Sequence, residues 1–279
     1  MEIALLMAQT NRSDIQNYLT QVEENHSIRI IYAAESGSRA WGFASPDSDY
    51  DIRFLYAHYP KEYYLSFDIE RRRDVLEVPD KERDWDCKGW DIKKALHLFT
   101  KSNASLLEWM NSPIVYIDPE KSVRMLKKLG EKSFDSTSIC YHYWRLGRNN
   151  YREFMNGRNE VSIKKCLYVL RALLAVDWVL EYSVLPPVKF MELVEGLSHK
   201  MDIRAIYPAI VKLVSIKKSK NEIDVINCSA INDIVELIKY RIVKIEQDNS
   251  SFFESHRKGL RQGKWNDRLN KIYRIAVGT

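Results

Sequence analysis

The rhythm of apolar and polar positions changes near Pro113. Ahead of it, Ile28-Arg-Ile-Ile-Tyr-Ala-Ala34 is rich in β-formers and bounded by Gly37-Ser38, which predicts a strand. Residues 36–48 hold Gly37, Gly42, Pro46 and several serines, a turn and loop around a short helix. Residues 49–57 alternate as a half-buried strand does, and further strands are expected at Val75–Val78 and Asp84–Lys88. Residues 12–24 read as a polar helix capped by Asn11 or Ser13. Asp91–Lys101 gathers Ile92, Ala95, Leu96 and Phe99 on one face, and another helix is expected at Ser105–Met110.

Beyond Pro113 the chain reads as mostly helical. Val161–Tyr182 is apolar on nearly every side, which predicts a central helix ended by Pro186-Pro187. Lys189–Glu195, Ile203–Val214 and Ile223–Gln247 suggest more helices. The expected class is α+β: residues 1–120 as a mixed sheet flanked by helices, 121–250 as an α-helical domain, and 251–279 as a basic C-terminal segment.

Composition narrows the classes. With 279 residues, 45% of them hydrophobic, the chain can bury a sizeable core and is not of disordered type. No stretch longer than nine residues lacks a charged side chain, so no membrane-spanning helix is expected. No basic stretch precedes the short apolar run at the N-terminus, and Cys87, Cys140, Cys166 and Cys228 show no ligand spacing. Free thiols in a cytoplasmic protein are therefore expected.

The net charge is +5, and residues 251–279 account for all of it, with seven Lys and Arg against Glu254 and Asp267. Phe252, Phe253, Trp265 and Tyr273 interleave these bases, as in a segment that follows a phosphate backbone. The favoured reading is plainer: Trp265, Leu269, Ile272 and Ala276 have helical spacing and dock on the body, leaving the bases in solvent.

Chemistry concentrates between Ser36 and Phe54. Asp49 and Asp51, two apart on a predicted strand, point to one face, with Tyr50, Ile52 and Phe54 opposite. Adjacent carboxylates repel unless a cation shares them, and oxygen ligands of this kind suit Mg²⁺. Gly37-Ser38 precedes them just past the first strand, where glycine admits close backbone approach and the serine with nearby N–H groups can hold a phosphate. A phosphate-holding turn beside a metal-holding strand is what phosphoryl-group transfer requires.

Gly37-Ser38 followed by Asp49-Tyr50-Asp51 resembles the motif of the DNA polymerase β superfamily of nucleotidyltransferases. The string Gly37-Ser-Arg-Ala-Trp-Gly-Phe43 with Ser48-Asp49-Tyr50-Asp51 is similar to one branch, the RNA-repair-associated predicted nucleotidyltransferases (RlaP-like). Matches to that branch continue through Gly89-Trp90-Asp91, Glu108-Trp109, Ser112-Pro113 and Lys164-Lys165 to Leu170-Arg171.

The resemblance implies Mg²⁺-dependent transfer of a nucleoside monophosphate from an NTP to a hydroxyl, with an RNA 3′ end as the acceptor that the branch suggests. It also implies two metal ions (Mg²⁺, or Mn²⁺ in its place) and a third carboxylate on a later strand. Asp86 is chosen for its place ahead of Gly89-Trp90-Asp91, with Asp84 in reserve and Asp91 read as a helix cap. Asp49, Asp51 and Asp86 are then catalytic and metal-binding, while Gly37 and Ser38 hold the triphosphate, with Arg39 either assisting or lying beside the turn.

Lys164, Tyr168 and Arg171 share a helix face and either contact the nucleotide or pair with acids such as Glu160 and Asp177. Trp41 and Trp109 are expected in the core, and His97 packed or exposed rather than catalytic. A non-catalytic nucleotide- or RNA-binding module, and a toxin–antitoxin enzyme modifying a protein, are the alternatives.

Overall fold

A computed structural model describes residues 2–59, 74–219, 225–247 and 265–278; within 2–11 it describes the backbone alone. Most of the basic segment, including Phe252, Phe253, Arg257, Lys258, Arg261 and Lys264, lies outside the described residues.

The N-terminal part is a five-stranded mixed sheet in the order β3-β4-β2-β1-β5. Its strands are β1 (Ile28–Glu35), β2 (Tyr50–His58), β3 (Val75–Glu77), β4 (Trp85–Asp91) and β5 (Val115–Ile117). β1 pairs antiparallel with β2 and β5; β2 pairs parallel with β4, which pairs antiparallel with β3. Helix α1 (Glu2–His26) runs further towards the N-terminus than the polar pattern implied and buries Ile15, Leu19 and Val22 against one face of the sheet. The other face is covered by α3 (Ile92–Thr100) and α4 (Ala104–Met110), the short α2 (Gly37–Trp41) lying between β1 and β2. β2 lies at the centre of the sheet, β4 buries Trp85, Cys87, Gly89 and Asp91 on one face while Asp86 on the other is exposed, and the Phe54 ring lies over Gly89, where a Cβ would come within 2.1 Å of it.

Asp91 caps α3, its Oδ1 accepting the Lys93 N–H at 2.7 Å, as its position in the sequence suggested. Asp84 is not a strand residue: it stands in the turn before β4 with φ 54°. Short aspartate side chains tolerate that left-handed conformation, which is the physical reason the strand starts one residue later.

The helical part comprises α5 (Lys121–Lys132), α6 (Ser136–Phe154), α7 (Ile163–Tyr182), α8 (Phe190–Gly196), α9 (Met201–Ser219) and α10 (Asn232–Gln247). As its all-round apolar pattern predicted, α7 is central; it packs against α6, α8, α9 and α10. Two-stranded pairing of β6 (Glu160–Ser162) with β7 (Val225–Asn227) corrects the helix expected from Val161 and over Val225–Asn227, because three residues are too few to show alternation; α10 starts only at Asn232. Helix α11 (Asn266–Val277) buries Leu269, Ile272 and Ala276 against α5 and α3, so the docked reading of the C-terminal apolar positions holds.

The chain is therefore α+β, with one core cluster running from the sheet through the helical part. Among the described residues no helix is long and apolar enough to cross a membrane. All four cysteines are free thiols; Cys87, Cys140 and Cys166 are buried and Cys228 is half-buried.

Candidate active site

Residue spacing along β2 and its neighbours builds the site. Asp51 is the second residue of β2, and its register partner on the parallel strand β4 is Asp86. Parallel pairing sets both side chains on one face, where strands lie about 4.8 Å apart. Gly37 sits directly against Asp51: a Cβ on Gly37, whose φ is 60°, would lie 1.9 Å from Asp51 Oδ2. Only glycine accommodates both that φ and that approach. The bend and the carboxylate are thus in van der Waals contact, held by a Ser36 N–H to Asp51 carbonyl bond of 2.8 Å.

A guanidinium joins the two acids. Arg53 Nη2 donates to Asp51 Oδ1 at 2.8 Å and to Asp86 Oδ2 at 2.6 Å, while Nη1 donates to the Asp86 carbonyl at 2.6 Å. Arg53 was missed in the sequence, although it follows Asp51 by two and the same alternation puts it on the acids' face. Burial raises the Asp51 carboxyl above its ordinary range; Arg53 and Lys164 oppose the shift, and Asp86 and Asp49 add to it. Lys164, at the start of α7, is therefore near enough for its charge to act on Asp51. Asp49 is exposed just before β2 begins, so it is a neighbour of Asp51 but not a strand partner.

Glu35 is the second residue that the sequence did not reveal. It ends β1 and is 1% exposed. Its Oε1 accepts the Asp51 N–H at 2.7 Å and its Oε2 the Tyr116 hydroxyl. Burial pushes its carboxyl up to about 7 from 4.5, the two hydrogen bonds opposing the shift. An acid closing an apolar strand just before Ser36-Gly37 was the available signal.

Arg39 straps the loop: Nη2 donates to the Ser48 carbonyl at 2.6 Å, Nε to the Asp49 carbonyl at 3.2 Å, and the guanidinium lies 3.8 Å from the Tyr50 ring centroid. Beneath that loop, the Nζ of Lys217, a 1%-exposed side chain of α9, donates to Ser45 Oγ at 2.5 Å, and Ser45 Oγ bonds Ser48 Oγ at 2.9 Å. The helical part thereby fixes the loop that leads into Asp49. Ser38 is 3% exposed at the start of α2.

Two candidates sit elsewhere. Arg171 is 2% exposed and pairs with Glu108 Oε2 at 3.1 Å, not with Glu160 or Asp177. It lies 4.2 Å from the Trp41 ring centroid and donates to the Val188 carbonyl at 3.2 Å. Helix spacing alone put it in line with Lys164, but α7 enters the core within one turn. Asp177 pairs instead with Arg241 at 2.7 Å. Tyr168 packs edge-on against Trp41, centroids 4.7 Å apart, and against Phe43. Trp109 is buried and stacks on Trp90 at 3.8 Å, Trp41 is half-buried with Nε1 on Glu108, and His97 is exposed.

Comparison with known proteins bears on what this geometry is for. The model of a family described as RlaP, RNA repair pathway DNA polymerase beta family, matches residues 11–261. The chain belongs to that family. An uncharacterized protein of Bacillus subtilis (strain 168), YcgL, is 43% identical over 187 residues, 67% of this chain and 70% of its own length. A solved nucleotidyltransferase-like protein from Exiguobacterium sibiricum 255-15 aligns over 95% of this chain and 88% of its own. Its TM-score is 0.38 at 13% identity, a likeness that supports no inference. The match spans both the helical part and the sheet with Asp51 and Asp86. Trp41, Glu108 and Arg171, far apart in sequence, form one buried cluster behind it.

The residues fit a divalent ion in part. The guanidinium shared by Asp51 and Asp86 marks a place where the two carboxylates already converge on one positive charge. Among the described residues, no group of three acids, histidines or cysteines is close enough together to hold an ion alone. Mg²⁺ commonly takes one or two carboxylates and completes its shell with water and substrate phosphate, which this pair allows.

Proposed function

We propose that the chain is a nucleotidyltransferase that moves a nucleoside monophosphate from an NTP to a hydroxyl, an RNA 3′ end being the acceptor class. The observation that carries this reading is the register pairing of Asp51 with Asp86 beside the Gly37 bend. Asp51 and Asp86, with Asp49 at the rim, would hold Mg²⁺ or Mn²⁺. The ion supplies charge neutralisation on the phosphates and lowers the pKa of the attacking hydroxyl.

The chain's own groups do the rest. The backbone N–H groups opening α2 at Gly37 and Ser38 face the triphosphate, and Lys164 adds positive charge beside Asp51. The acceptor oxygen forms a bond to the α-phosphorus as the bond to the bridging oxygen breaks; pyrophosphate leaves, and the hydroxyl proton passes to Asp86. Arg53, which holds both acids, would pair with phosphate oxygens were an ion to take its place between them.

Incubation with each α-labelled NTP, Mg²⁺ and RNA is expected to transfer label and release pyrophosphate, and Asp51→Asn to abolish both. Equal release from the two proteins would overturn the reading. Arg53 bridging the acids favours one other reading, a nucleotide-binding module without catalysis. It predicts NTP binding by equilibrium dialysis with no label transfer to any acceptor.

A further inference from the structure

Positive charge is concentrated far from the acids. Helices α3, α5 and α11 together carry ten Lys and Arg against Glu131 and Asp267. The whole chain is only +5, so everything outside these three helices is net acidic. Packing explains which residues face out. Burial of Leu269, Ile272 and Ala276 turns Arg268, Lys271 and Arg274 to solvent, and burial of Val123, Leu126 and Gly130 does the same for Arg124 and Lys128. Among the described residues, Lys93, Lys128, Lys271 and Arg274 make no ion pair with an acid. Like charges gathered on touching helices repel one another and destabilise the fold unless a polyanion answers them.

Beside this surface, between α3 and α11, opens a cleft of about 640 Å³. Lys93, Lys94 and His97 of α3 form one wall and Asn266, Asn270 and Tyr273 of α11 the other; Asp74 also lines it, a single acid against the two lysines. Cations, amides and one aromatic ring are the groups that hold a phosphodiester and a base together. A lipid surface fits less well. The large apolar side chains exposed among the described residues, such as Met201, Tyr240 and Val225, all lie off these three helices, and membrane docking needs such groups to insert.

We propose that this face docks the body of a single-stranded RNA acceptor, its phosphates on α5 and α11 and one nucleotide in the cleft. The proposal rests on the RNA-acceptor reading above. The surface is distinct from the active site. Arg29 Nη2 donates to the Ala276 carbonyl at the end of α11, and Arg29 pairs in the sheet with Ala57, six residues along β2 from Asp51. At about 3.3 Å per residue, that separates the two by roughly 20 Å. The face governs how tightly a polymer is held, while the acids act on its end.

The test is binding of a short labelled single-stranded RNA to the full chain by fluorescence anisotropy, without NTP or divalent ion. Affinity is expected to fall steeply with salt. The triple variant Lys128→Gln/Lys271→Gln/Arg274→Gln should bind about tenfold more weakly and lower the log–log salt slope by about two, near 0.7 for each phosphate no longer neutralised. Unchanged thermal melting is expected, since the three side chains are exposed.

Equal RNA binding by the triple variant overturns the surface, as does loss of binding to phosphatidylserine vesicles with RNA binding intact. RNA binding that depends on the triple site, without nucleotide transfer, supports the surface and overturns only the catalytic reading.

Discussion

Two clusters in this protein have the same ingredients, an arginine and acids with aromatic neighbours, and different fates. Arg171 is buried and Glu108 largely so: the carboxylate also accepts from Trp41 Nε1 at 2.5 Å and from the Tyr143 hydroxyl at 2.9 Å. Arg53 with Asp51 and Asp86 stands near the starts of β2 and β4, where the Asp86 side chain is 57% exposed. In the first, the carboxylate's lone pairs are spent on protein donors and only 13% of its side chain is left to solvent. In the second, one guanidinium is divided between two acids that water and ligands reach. Charge alone does not mark a reactive site; accessible, incompletely matched charge does.

That contrast can be broken in several ways. The largest effect is expected from Gly37→Ala, whose Cβ would collide with Asp51 Oδ2 in a backbone conformation with φ of 60°. Nucleotide transfer should fall by about 10²-fold or more, since small misplacements of a reacting group have that effect. Unaltered transfer would show that the bend does not set the acid.

Arg171→Met comes next. It leaves the buried Glu108 carboxylate without its cation and should lower stability in urea titrations by about 3–5 kcal/mol. Arg53→Met, at a cluster open to solvent, should cost about 1 kcal/mol or less. Equal losses would erase the distinction between the clusters.

Glu35 offers a pH test. Its carboxyl titrates at about 7 in the fold against 4.5 ordinarily, because burial disfavours the charge. Between those values the folded chain holds a proton that the unfolded chain has released. The group's contribution to stability is therefore complete below about 4.5 and is lost as pH rises to about 7. Glu35→Gln removes this titration, so its stability relative to wild type should rise from pH 5 to pH 8 by up to about 3 kcal/mol. A pH-independent difference between the two melting profiles would refute the assignment.

The smallest effect is expected from Asp84→Asn, which keeps a residue tolerant of the left-handed turn. Stability should move by less than about 0.5 kcal/mol and transfer hardly at all, whereas Asp86→Asn should abolish transfer. Comparable losses would return Asp84 to the site.

Much of the fold was legible because it is written in local periodicity. The alternation from Asp49 to Ala57 and the all-round apolar run from Val161 to Tyr182 announced β2 and α7 within a residue or two of where they lie. The approach of Gly37 to Asp51 was legible as well, because close contact and a positive φ demand glycine at short range, whereas Asp49 lies outside β2 and Asp51 shares its cation with Asp86. Arg171 misled because i, i+4, i+7 spacing reports a helix face and not what that face meets. Lys217 and Glu35 gave almost no signal, since a buried lysine or glutamate is recognised only by its partners, and those stand 172 and 81 residues away.

Sequence alone determined the α+β class, the central strand and helix, and the turn that only glycine can make beside an acid. Tertiary structure decided which acid stands opposite Asp51, because parallel pairing of β2 with β4 is a contact between segments whose register no local pattern encodes. It also decided which arginine faces a ligand and which is buried, since solvent access is a property of the packed whole.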